Sequence, residues 1–157
     1  MPEVGDQAPV FELAGDAGRP LSLTELKGRI VVLYFYPKDD TSGCTAEAKD
    51  FSDLAGDFAK ADATVIGISP DGVASHAKFK AKHDLTVDLA ADEDKAVAEA
   101  YGVWVEKSMY GRRYMGVERS TFLIDAKGRV AQVWRKVKVP GHAAAVLEAA
   151  RNIAGRK

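Results

Sequence analysis

Hydrophobic spacing along the chain switches between a period of two and a period near 3.6, and the switches mark out its elements. Val10-Phe11-Glu12-Leu13 alternates like a short strand, Gly15-Asp16-Ala17-Gly18 has turn chemistry, and Leu21-Ser22-Leu23 resumes an extended pattern before a short turn at Glu25-Leu26-Lys27-Gly28. An N-terminal β-hairpin is expected there. Ile30-Val31-Val32-Leu33-Tyr34-Phe35-Tyr36 is continuously apolar, the pattern of a central strand covered on both faces. Pro37 stops it, because proline offers no ladder donor. After the loop of residues 38–43, Phe51, Leu54, Ala55 and Phe58 fall on one helical stripe, which places Cys44 at or near the first turn of a helix.

The remainder alternates strand and helix. Residues 64–69 read as a strand, 73–83 as a helix, 87–89 as a short strand and 93–101 as another helix, so part of the sheet is expected to be parallel. Residues 119–124 and 130–134 flank Asp125-Ala126-Lys127-Gly128, the loop of an antiparallel hairpin. Trp104 and Trp134 sit in strand-like patterns, where core packing is the usual reason for a tryptophan. From Gly141 onward, Ala143, Val146, Leu147, Ala150 and Ile153 keep helical spacing, so a closing helix is expected to pack on the sheet. The sum is an α/β chain of three layers, α/β/α, with a mixed β-sheet. No repeat, charge block or linker-like stretch divides it, and one domain over residues 1–157 is expected.

Charge narrows the partners. With 22 basic and 23 acidic side chains among 157 residues, the formal charge is −1, which favours neither nucleic acid nor an anionic membrane surface. The longest apolar run, residues 30–36, is far short of the ~20 residues that a membrane span needs. Residues 1–6 lack the basic and apolar regions of a secretory signal, so a cytoplasmic protein is expected. The single cysteine forbids a disulfide, a Cys-x-x-Cys pair or a multi-thiolate zinc site within these residues. His76 and His83 fall in a polar helix pattern and His142 follows Pro140-Gly141. All three read as solvated, none is marked out as the base of a cysteine hydrolase, and no metal site or cofactor is expected. A cysteine phosphatase would need arginine six positions after the thiol, where Asp50 stands.

A lone cysteine is most often a small buried hydrophobe, but the position of Cys44 favours an anion, since the first amides of a helix have no intrahelical partners. Moving a thiol from about 8.5 to about 6 takes roughly 3.4 kcal/mol of preferential stabilisation of the thiolate. A helix terminus supplies about 0.3–1 kcal/mol, or about 2 in a partly buried setting. A second cation is required. Arg119, at the start of a strand pattern, suits that task because guanidinium stays charged and holds a rigid fork of donors; a strand-end arginine at the surface is the plainer reading.

The run Tyr34-Phe35-Tyr36-Pro37-Lys38-Asp39-Asp40-Thr41-Ser42-Gly43-Cys44-Thr45-Ala46-Glu47 resembles the active-site loop of the peroxiredoxins, in their Q-type or bacterioferritin comigratory protein branch. Residues 101–104, 106–111 and 116–125 also resemble that branch, in the same order, so the likeness covers essentially the whole chain. It implies a thioredoxin-like fold and a thiol peroxidase acting on hydrogen peroxide and organic hydroperoxides through a sulfenic acid at Cys44. The resemblance gives Thr41 a hydroxyl for the thiolate and the peroxide, Pro37 the shielding of the sulfur, Arg119 the stabilisation of thiolate and developing oxyanion, and Glu47 the orientation of Arg119. From the residues alone, Pro37 also serves as a strand end, Thr41 as a helix cap and Glu47 as a solvated acid in a first turn.

The chain departs from the branch at three places. Ser42 stands where many relatives have proline, Lys49 where many have a second, resolving cysteine, and residues 78–82 where others place it. A one-cysteine enzyme is implied, whose sulfenic acid is met by an external thiol: glutathione, a glutaredoxin or a thioredoxin. A monomer or a homodimer is expected. The rival reading is a non-catalytic thioredoxin-like redox sensor or holdase that keeps Cys44 only for oxidation.

Overall fold

The computed structural model describes residues 2–155. In chain order its elements are β1 (Glu12–Gly15), β2 (Pro20–Ser22), β3 (Ile30–Phe35), α1 (Ser42–Asp53), α2 (Ala55–Lys60), β4 (Ala63–Ser69), α3 (Val73–His83) and β5 (Asp88–Ala91). They continue with α4 (Ala96–Ala100), β6 (Trp104–Met109), β7 (Arg112–Val117), β8 (Ser120–Ile124), β9 (Val130–Trp134) and α5 (His142–Ala154). Seven strands form one sheet in the order β2-β1-β5-β4-β3-β8-β9. The β3–β4 and β4–β5 pairs are parallel and the rest antiparallel, which makes the mixed sheet that the strand–helix alternation predicts.

β3 shows why the sheet is central. Ile30, Val32, Tyr34 and Tyr36 project into a core with Phe51 and Phe58 of the α1–α2 pair, Phe79 of α3 and Val146 of α5. Val31, Leu33 and Phe35 project to the other face, against Val97 of α4, Tyr101, Val103 and Phe122. Alternate residues thus serve two apolar layers, and a strand apolar at every position is the result. The two faces are unequal, with α1, α2, α3 and α5 against the first and α4 with the N-terminal segment against the second. No helix among the described residues is long and apolar enough to cross a membrane.

Several boundaries move from their expected places. The first strand starts at Glu12, two residues late, and Val10 is exposed. The stripe from Phe51 to Phe58 is two helices, because Leu54 leaves helical geometry at φ −97° and ψ 5°. The helix expected over residues 93–101 shortens to α4, since Lys95 takes a left-handed φ of 63° and Asp92 caps the amides of Val97 and Ala98. The β6–β7 hairpin is an addition: it stands outside the main sheet and turns through Tyr110 and Gly111, both at positive φ.

Candidate active site

Residues 37–41 leave the C-terminal end of β3 and feed α1. Thr41 is the N-cap, extended at φ −87° and ψ 156°, and its carbonyl accepts the first helical hydrogen bond from Thr45 at 2.8 Å. Cys44 therefore stands in the first turn, among amides that lack intrahelical partners, and its side chain is 1% exposed. The antiparallel register of β3 and β8 pairs Phe35 with Ser120, so the residue before β8 arrives beside the start of α1. That residue is Arg119.

Its guanidinium spans one turn of α1. Nη2 donates to Cys44 Sγ at 3.2 Å and Nη1 donates to Glu47 Oε1 at 2.6 Å. Cys44 and Glu47 are three residues apart, hence neighbours on the helix surface. Gly43 completes the seat: a Cβ there would lie 3.2 Å from Arg119 Nη2, so glycine lets the guanidinium reach the sulfur. Burial pushes the Glu47 carboxyl up to about 7, a rise that the charge and hydrogen bond of Arg119 only partly offset. Burial also opposes the charge of Arg119, yet Glu47 and Cys44 outweigh it and hold the guanidinium above its usual value.

The surroundings are aromatic and dry. Tyr34 stacks on Phe51 of α1 with ring centroids 4.7 Å apart, and burial followed by the charge of Glu47 raises its hydroxyl well above the ordinary phenol value. Lys107 of β6 is half-buried, and burial together with the charge of Arg119 lowers its ammonium.

Of the sequence-predicted residues, Cys44, Arg119 and Glu47 come together. Glu47 is a buried partner of Arg119, not a solvated first-turn acid. Thr41 makes no side-chain cap; its exposed hydroxyl donates to the Lys38 carbonyl at 3.0 Å, not to the sulfur. Pro37 is half-buried at the end of β3, and Ser42 and Lys49 are exposed.

The expectation of solvated histidines is overturned. His76 is fully buried and its Nε2 lies 2.9 Å from the Ala90 carbonyl. His142 is buried between the rings of Phe51 and Trp134, with Nε2 2.7 Å from Thr121 Oγ1, and burial reinforced by the charge of Arg119 lowers it to about 4. His83 is partly buried and meets Asp40 at 2.7 Å. A polar helical pattern hides these contacts because the partners lie on other elements. Gly43, Tyr34 and Lys107 also escaped the sequence reading as site residues. Gly43 had one signal, its position directly before Cys44.

Residues 4–133 match the model of the AhpC/TSA family. The chain belongs to that family. Peroxiredoxin Bcp of Bacillus subtilis is 50% identical over 151 residues, covering 96% of each chain. The bacterioferritin comigratory protein of Xanthomonas campestris, studied for its alkyl peroxide reduction activity, is 44% identical and superposes with a TM-score of 0.90 over 98% of both chains. Peroxidoxin BcpB of Mycobacterium tuberculosis is 37% identical, with a TM-score of 0.86 over 98% of this chain and 99% of that one. The fold is thus the thioredoxin-like fold of the peroxiredoxins. Peroxiredoxin Q of X. campestris has been solved with either of two cysteines changed to serine, whereas this peroxiredoxin sequence has one.

Proposed function

We propose that Cys44 is the peroxidatic nucleophile of a one-cysteine thiol peroxidase, and the observation that carries this is the guanidinium of Arg119 held between the sulfur and a buried carboxylate. A guanidinium N–H aimed at sulfur favours thiolate over thiol. The thiolate attacks one oxygen of the hydroperoxide; the S–O bond forms, the O–O bond breaks, and the departing alkoxide or hydroxide takes a proton to leave as alcohol or water. Sulfur gives up two electrons and becomes a sulfenic acid. Arg119 stabilises charge on the peroxide oxygens as well as on sulfur, and Glu47 fixes the plane of its fork. Thr41 swings its hydroxyl from Lys38 toward the bound peroxide, and Pro37 limits water at the sulfur.

Recycling needs two external thiols. The first attacks the sulfenic sulfur and releases water to leave a mixed disulfide. The second attacks that disulfide and frees Cys44. A cytoplasmic glutathione, glutaredoxin or thioredoxin system fits this chemistry, with the protein acting as a monomer or homodimer.

The test is peroxide consumption with dithiothreitol as reductant, followed by each of those three donors alone. Sustained turnover that Cys44→Ser abolishes supports the enzyme. A single stoichiometric oxidation that no thiol reverses supports the sensor instead.

A further inference from the structure

Beside the site lies a buried polar cluster that the reaction above does not use. The Asp39 carboxylate accepts from Tyr36 Oη at 2.6 Å, Ser75 Oγ at 2.7 Å and His76 Nδ1 at 2.8 Å. The Asp39 amide donates to Asp71 Oδ2 at 2.8 Å, and Ser69 Oγ donates to the same oxygen at 2.7 Å. The next residue, Asp40, turns at a φ of 60° and is gripped by Lys82 Nζ and His83 Nε2, each at 2.7 Å. Ser75, His76, Lys82 and His83 repeat at helical spacing, so α3 fastens both aspartates of the loop that starts α1.

The protonation of His76 follows from its partners. A carbonyl oxygen only accepts, so the nitrogen facing Ala90 carries a proton. The other nitrogen lies 2.8 Å from the Asp39 carboxylate and 3.4 Å from Tyr36 Oη, and an ionised carboxylate only accepts, so this nitrogen donates to it whenever Asp39 is charged. With Asp39 ionised, this geometry favours the imidazolium form of the ring.

We propose that His76 is a positioning residue for Cys44: by holding Asp39 it fixes the loop of residues 37–41, and with it the register at which the first turn of α1 meets Arg119. The proposal rests on the reading of Cys44 as the nucleophile. Burial opposes the imidazolium, but the hydrogen bond and charge of Asp39 outweigh it and hold His76 above its ordinary value. Burial likewise opposes the Asp39 carboxylate, and hydrogen bonds from His76, Tyr36 and Ser75 keep it below the usual range. A raised imidazole value means that the hold is complete below about 6.5 and is lost as pH rises through the raised value. The other groups facing the pair are Tyr36 just after β3, Asp71 on the turn before α3, Ser75 on α3, the Ala90 carbonyl on β5, and Lys78 and Lys82 across the open cleft beside Asp39.

The test follows three quantities in the reduced protein against pH: the His76 ring shift by NMR, amide-exchange protection of Asp39 and Thr45, and the peroxide rate constant per thiolate. Protection and rate are expected to fall together, by about tenfold, at the His76 midpoint. Asp39→Asn is expected to lower the rate constant about tenfold at pH 6 and to erase the step. A flat profile in the wild type overturns the proposal. So does a step that persists in Asp39→Asn, since Glu47 titrates nearby and would then be its source. Should Asp39→Asn fail to fold, His76→Gln takes its place, and the wild-type profile decides alone if both fail. If the wild type consumes no peroxide, the peroxidase reading falls, while the exchange step still tests the hold of His76 on the loop.

Discussion

Arg119 owes its consequence to what lies on each side of it. With the sulfur at one nitrogen and Glu47 at the other, its fork is fixed before any peroxide arrives. Arg119→Ala is expected to lower the second-order rate constant with peroxide by about 100-fold or more, as loss of a preorganised oxyanion donor does. The melting temperature at pH 6 should fall little, because Glu47 already holds a proton there and is left as a neutral buried acid, not as an unpaired charge. Stopped-flow oxidation and thermal unfolding of the same preparation check both halves. Glu47 carries a second expectation. Its carboxyl holds a proton in the fold between about 4.5 and 7 and has lost it in the unfolded chain, so its contribution to stability falls as pH rises through that window. Urea titrations at pH 5 and pH 7.5 should show a smaller difference for Glu47→Gln than for the wild type. At this scale the sequence disclosed residue types but not partners. Cys44 could be singled out as the one cysteine, and Arg119 by its place at the start of a strand pattern and by the peroxiredoxin likeness, whereas the burial of Glu47 and His76 depends on elements far away along the chain.

Element by element, legibility follows local pattern. β3 and α5 were read because a run apolar at every position and a clean 3.6 period are local signals. The break at Leu54 was not, because the apolar stripe continues across it. The β6–β7 hairpin was not either, since Glu106, Met109, Arg112, Arg113 and Met115 are exposed and only Val117, at its end, is fully buried. That hairpin pairs only with itself, and its tip residue Tyr110 is 98% exposed. Its amides are expected to exchange by local opening well before those of β3 and β4, and hydrogen-exchange mass spectrometry of peptides 104–117 and 30–36 checks this. Gly67 tests the contact between sheet and α1. A Cβ there would lie 2.6 Å from the Tyr34 ring, the ring that stacks on Phe51. Gly67→Ala should therefore cost about 1–3 kcal/mol of stability, read from denaturant midpoints.

For the whole molecule, the one cysteine sets the stoichiometry. Without added thiol, each chain is expected to consume one equivalent of peroxide and stop, with the intact mass rising by one oxygen atom and no disulfide within the chain. A second oxygen on Cys44 under excess peroxide would mark the sulfinic acid. Intact-mass spectrometry of a timed series shows the order. The layers and the mixed sheet were legible here because alternation of strand and helix leaves few topologies. Strand order was not, since the placement of β8 beside β3, which brings Arg119 to Cys44, is a long-range pairing that no local pattern announces.

The bond between those two residues spans 75 positions. During synthesis, a chain that has emerged only as far as α3 holds its sulfur with no guanidinium to answer it. On the proposed role of Cys44, the contact that favours its thiolate forms only after β8 has docked, late in the growth of the polypeptide.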